Sequence, residues 1–127
     1  MKKRHAISSA PLDASFFNDL LGDVELELSS DARIKIDNCR KWLHQKLESS
    51  QVPIYGINTG FGSLYDKQIP HDQMEQLQVN LMVSHACGTG AQVPDEIVRL
   101  MLFLKIQSLS YGYSGINSRT AEYLIQF

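Results

Sequence analysis

The sequence predicts a mainly α-helical fold carrying one short extended segment and one glycine-rich loop. Three observations predict it. Ala32, Ile36, Cys39, Leu43 and Leu47 recur at helical spacing, with Arg33, Asp37, Arg40, Lys41 and Lys46 largely off that stripe. Ile97 to Leu109 is apolar nearly all round, the pattern of a helix buried on all sides in a large helical assembly. Tyr55-Gly-Ile-Asn-Thr-Gly-Phe-Gly62 places three glycines within seven residues, too many for a helix interior.

Taken in order, residues 1–12 read as a loose or strand-like arm, and Leu12 to Leu21 as a short helix stopped by Gly22-Asp23. The alternation Val24-Glu-Leu-Glu-Leu28 has the period of a half-buried strand, which a brief extended connection would share. Ser29-Ser30-Asp31 is an N-cap cluster for the amphipathic helix, which should end near Ser49-Ser50 before Pro53. Val52-Pro53-Ile54 is extended, because the residue before a proline is pushed out of the helical region. Tyr55 therefore stands at an element's end.

Beyond the glycine loop, Pro70-His71-Asp72 opens a helix with the stripe Met74, Leu77, Leu81, continued by Ser84 and His85, and Gly88-Thr89-Gly90 should stop it. Pro94 in a first turn and the acidic pair Asp95-Glu96 start the apolar helix. Tyr111-Gly-Tyr-Ser-Gly115 breaks it, and Asn117-Ser118 begins a last one. The organisation expected is one region over 1–127: an arm at 1–12, helices at 13–50, the Tyr/Gly loop at 51–70 and helices of a bundle at 71–127.

Composition narrows the function. The chain has 127 residues, 43% hydrophobic and 20% charged, which is globular rather than disordered. A formal charge of -2 leaves no basic footprint for nucleic acid or an anionic membrane surface, and no apolar run approaches the length of a membrane span. Cys39 and Cys87 match neither a disulfide framework nor paired metal-ligand spacing, so reduced thiols in a cytoplasmic setting are expected. Both cysteines read as buried structural residues, and Tyr113 as a packing residue. His5, His44 and His71 are too scattered for a metal cluster, and the glycine spacing fits no dinucleotide or phosphate fingerprint.

Tyr55-Gly-Ile-Asn-Thr-Gly-Phe-Gly62, Leu81-Met-Val-Ser-His-Ala-Cys-Gly-Thr-Gly90 and Leu104-Lys-Ile-Gln-Ser-Leu-Ser-Tyr-Gly-Tyr-Ser-Gly-Ile116 closely resemble the amino-terminal region of the aromatic amino-acid ammonia-lyases. The resemblance covers nearly the whole chain in one register. It implies a homotetramer of long helices, a small-molecule amino-acid substrate, and elimination of ammonia at a methylidene-imidazolone formed from an internal Ala-Ser-Gly. It is nearest to the histidine-specific members: Ser84-His85 stands where phenylalanine and tyrosine lyases tend to carry an aromatic residue or His followed by Leu. The implied reaction is histidine to urocanate.

On that resemblance Tyr55 is the base that removes the weakly acidic β-proton. A phenol titrates near pKa 10 in water, so cations, amide donors or helix N-termini must favour its charged form. His85 is the substrate-reading residue, and Gly62 and Asn58 are further substrate-binding candidates, although Asn58 and Thr59 equally suit local bonds that hold the loop. No Ala-Ser-Gly occurs in the sequence; the resemblance puts it just past the segment matching Ile116 to Phe127. The chain by itself is therefore expected to be inactive. A non-catalytic interaction module and a lyase acting on tyrosine or phenylalanine stay open as alternatives.

Overall fold

The computed structural model describes residues 3–13, 15–20, 22–49 and 52–127, with the side chain of His71 set aside. The expected helix ends at Leu21 and Ser50, and the 50/51 boundary, lie outside the described residues. The elements are β1 (Lys3–Ile7), α1 (Phe16–Leu20), β2 (Val24–Leu28), α2 (Ser30–Ser49), α3 (Met74–His85), α4 (Asp95–Ser110) and α5 (Ser118–Gln126), with single 3-10 turns at Gly62–Leu64 and His71–Gln73. The chain is mainly helical, as the sequence predicts, and forms two compact units: Met1–Ser49 with Gln92–Phe127, and Ser50–Ala91.

In the first unit both extended segments are strands. They pair in parallel, Lys3 opposite Val24 through Ile7 opposite Leu28, and α1 lies within the crossover that parallel pairing requires. Val24, Leu26 and Leu28 turn inward while Glu25 and Glu27 face out, and Arg4 meets Glu25 across the pair at 3.0 Å. The apolar core gathers Ile7, Phe16, Leu20, Phe103 and Ile106, with Leu26, Leu100, Leu124 and Ile125 packed against it.

Helix α2 begins where its cap predicts: Ser29 Oγ accepts the Ala32 amide at 3.2 Å, and Ala32, Ile36 and Leu43 are buried along the predicted stripe. Helix α4 buries Phe103, Ile106, Gln107, Leu109 and Ser110 but leaves Ile97, Val98, Met101 and Leu104 exposed. Within this chain it is a one-sided helix, and its open apolar face is the part of the all-round burial that a larger helical assembly would have to supply. The polar pair on its inner face reaches the segment after β1: Gln107 Nε2 donates to Ser8 O at 2.8 Å, and Ser110 Oγ to the same oxygen at 2.9 Å.

The turn after α4 closes onto α2. Gly112 has φ +76°, and a Cβ there would stand 2.8 Å from the Lys35 carbonyl oxygen, so the position tolerates only glycine without movement of α2. Arg40 Nη1 donates to Gly115 O at 3.0 Å beside it. Tyr113 projects into solvent, 90% exposed, which corrects its assignment as a packing residue. Helix α5 starts on Asn117, whose side chain accepts the Arg119 amide at 2.9 Å.

In the second unit α3 runs from Met74 to His85, preceded by the 3-10 turn, and ends before Gly88: Ala86 caps it with its amide on Met82 O. Met74, Leu77 and Leu81 are half-buried, matching the predicted stripe, and its other residues are exposed. Among the described residues no helix is long and apolar enough to cross a membrane.

Candidate active site

The glycine loop is folded by its own polar side chains. Asn58 and Thr59, both buried, point into it. Asn58 Oδ1 accepts the Ile54 amide at 2.6 Å, while its carbonyl accepts the Ile69 amide at 2.9 Å. Thr59 Oγ1 accepts from Gly56 N at 3.3 Å and donates to Gly60 O at 3.0 Å, and Thr59 forms an isolated antiparallel bridge with Gln68. Of the two roles open to Asn58, this geometry displays the loop-holding one. Such Asx- and Thr-mediated bonds replace the ladder hydrogen bonds that a turn lacks.

The result is a hydrogen-bonded seat for Tyr55, which stays 61% exposed. Its ring stands edge-on to Phe61, centroids 5.5 Å apart at 66°. Gly56, at φ +72°, makes that approach possible, because a Cβ there would lie 2.8 Å from Phe61 Cε1. The Gly62 amide donates toward Tyr55 Oη at 3.5 Å, a long bond, but one aimed at the atom where negative charge would reside in a phenolate.

His85 enters the same cluster from the last turn of α3. Its ring is edge-on to that of Phe61, centroids 6.3 Å apart at 82°. Nδ1 lies 2.9 Å from Leu81 O and 3.0 Å from Ser84 Oγ. Tyr55, Gly62 and His85 are thus brought together around one phenyl ring. Phe61 is the residue that sequence reasoning leaves out: it reads as part of the glycine motif, and the one available signal is an apolar ring among glycines where a loop has no other reason to place one. Cys87 is exposed, not buried, and Cys39 is partly buried. Among the described residues no group of three His, Cys, Asp or Glu side chains could hold a metal ion.

This fold and loop have relatives. The family model described as aromatic amino acid lyase matches residues 14–127, and the chain belongs to that family. The histidine ammonia-lyase of Deinococcus radiodurans is 48% identical over 101 residues, covering 80% of this chain and 19% of that protein. The crystal structure of histidine ammonia-lyase from Trypanosoma cruzi superposes with a TM-score of 0.80 at 30% identity, over 97% of this chain and 23% of that one. Ergothionase from Treponema denticola, an ergothioneine-degrading enzyme, superposes at 0.91 with 25% identity, over 98% and 25%. The chain thus spans about a fifth of the length of the curated relatives it matches. These likenesses carry the fold assignment from mainly helical to the amino-terminal part of the ammonia-lyase fold.

Proposed function

We propose that this chain supplies the proton-abstracting tyrosine and the substrate-reading histidine of a histidine ammonia-lyase, which converts L-histidine to urocanate and ammonia. The observation that carries the reading is that the rings of Tyr55 and His85 both meet that of Phe61 edge-on, at centroid distances of 5.5 and 6.3 Å. Further support comes from the 48% identity to a relative of that name. In its phenolate form Tyr55 takes the β-proton of histidine onto Oη, with the Gly62 amide as donor to that oxygen. His85 orients the imidazole of the substrate.

The methylidene-imidazolone that the family resemblance implies would supply the electrophile. The 127 residues contain no Ala-Ser-Gly from which it could close, so the steps assigned to this chain are those of its own side chains. As a separate polypeptide it turns over no histidine. A homo-oligomer in a cytoplasmic setting belongs to the same proposal, and the exposed apolar positions Ile97, Val98, Met101 and Leu104 of α4 support association.

The test is kinetic, in the enzyme that carries the electrophile. Tyr55→Phe should lower kcat by roughly 10²–10⁴-fold with folding retained, the usual contribution of a positioned base. His85→Leu should mainly raise KM for histidine and relax discrimination against phenylalanine, as when binding shared by ground and transition states is lost. A Tyr55→Phe enzyme with unaltered kcat would return that tyrosine to a packing role, and an unchanged histidine preference in His85→Leu would remove the choice of substrate.

A further inference from the structure

We infer that the His85 ring is locked as its Nδ1–H tautomer, so that Nε2 is a hydrogen-bond acceptor and selects a substrate ring bearing an N–H or O–H donor, such as imidazole, over a phenyl ring. As a statement about substrate choice it rests on the histidine reading above. The tautomer itself rests on geometry alone.

Leu81 O, 2.9 Å from Nδ1, can only accept. A bare Nδ1 lone pair at that distance would face the carbonyl lone pairs, and a proton on Nδ1 turns this repulsion into a hydrogen bond. Ser84 adds to the same demand. Its Oγ lies 3.0 Å from Leu81 O, where only the hydroxyl can donate. With its hydrogen committed there, the oxygen presents lone pairs to Nδ1, 3.0 Å away. Two acceptors therefore converge on one ring nitrogen. A neutral imidazole carries a single N–H, and placing it on Nδ1 leaves Nε2 with its lone pair free to accept. A flip of the ring about Cβ–Cγ would put Cδ2 in place of Nδ1 and forfeit both contacts.

The consequence for selectivity follows from the cost of an unmade bond. An imidazole N–H meets the Nε2 lone pair, whereas a phenyl ring desolvates it and returns nothing, which is the asymmetry by which sites reject analogues lacking a donor. Ser84 is on this account a positioning residue acting through His85. That gives a physical reason for a serine immediately before the histidine.

Long-range proton–nitrogen correlation on protein labelled with ¹⁵N-histidine, at a pH about two units above the ordinary histidine value of about 6.5, reads the tautomer without turnover. His85 should show a protonated Nδ1 and a bare Nε2, the reverse of an unconstrained histidine in water. Ser84→Ala should shift the tautomer ratio toward Nε2–H by roughly two- to ten-fold, the worth of one hydrogen bond. Ser84→Thr, which keeps the hydroxyl, should restore it even if the alanine loosens α3. A proton on Nε2 in the unaltered protein overturns the inference and leaves the histidine reading to the His85→Leu kinetics. An unchanged ratio in Ser84→Ala overturns the part assigned to Ser84. Conversely, a His85→Leu enzyme that still prefers histidine removes the substrate reading whatever the tautomer.

Discussion

The unit built from residues 1–49 and 92–127 holds together by apolar burial, and the unit at 50–91 by side-chain bonds to its own backbone. In the first, Ile7, Ile36, Phe103 and Ile106 are each almost entirely removed from water. In the second, the buried residues among those described are Asn58, Thr59 and Gly60, and the apolar residues of α3 are at best half-covered. The difference teaches where each kind of work is done. A dense apolar core is stable but indifferent to chemistry, whereas a loop shaped by directed hydrogen bonds can hold a phenol exposed at a fixed orientation.

If that division is right, the largest stability effect belongs to the first unit. Phe103→Ala removes a fully buried ring that packs on Phe16 at a centroid distance of 4.9 Å, and should cost about 3–5 kcal/mol in denaturant unfolding. A loss below about 1 kcal/mol would break the comparison, since the unit would not depend on its core. Next comes the loop. Asn58→Ala orphans the Ile54 amide and should cost about 1–3 kcal/mol, confined to the second unit. Hydrogen exchange should therefore accelerate at residues 54–69 while the amides of α2 and α4 keep their rates. Uniform acceleration across both would show a single cooperative structure.

The smallest effect sharpens the comparison from within the first unit. His5 stacks on Phe16 at 3.8 Å, and its removal from water lowers its pKa, with Asp19 pulling the other way and Lys3 adding to the lowering. A folded pKa below the unfolded value means that the unfolded chain binds the proton first. Stability is then full above pH 6.5 and falls as the pH drops below it. Urea midpoints measured at pH 8 and pH 5 should show this loss, and His5→Gln should remove the part of the difference that belongs to the ring.

Much of this architecture is legible in the sequence because it is local. The Ser29 and Asn117 caps, the Ala32-Ile36-Leu43 stripe and the Val24–Leu28 alternation each depend on neighbours within a turn or two, and each element forms there. The parallel pairing of β1 with β2 is not legible, because an alternating pattern fixes a face and says nothing of the partner. Which face of α4 is covered within the chain is not legible for a related reason: an all-apolar surface records that burial is possible, not what provides it. At the candidate site, the motifs single out Tyr55 and His85, whereas the contact of Phe61 with both needs three-dimensional proximity across 24 residues of sequence. The tautomer lock at Ser84 needs distances.

The interruption of the first unit by the second sets a clock on synthesis. Gln107 and Ser110 grip the Ser8 carbonyl about one hundred residues away, and Phe103 and Ile106 complete a core begun by Ile7, Phe16 and Leu20. At roughly 5–20 residues per second, the ribosome needs about 3–11 seconds to travel from the end of α2 to Phe103. Throughout that interval the apolar faces of β1, α1 and α2 have been made and their partners have not, so the nascent chain carries a binding surface for chaperones that vanishes once α4 emerges.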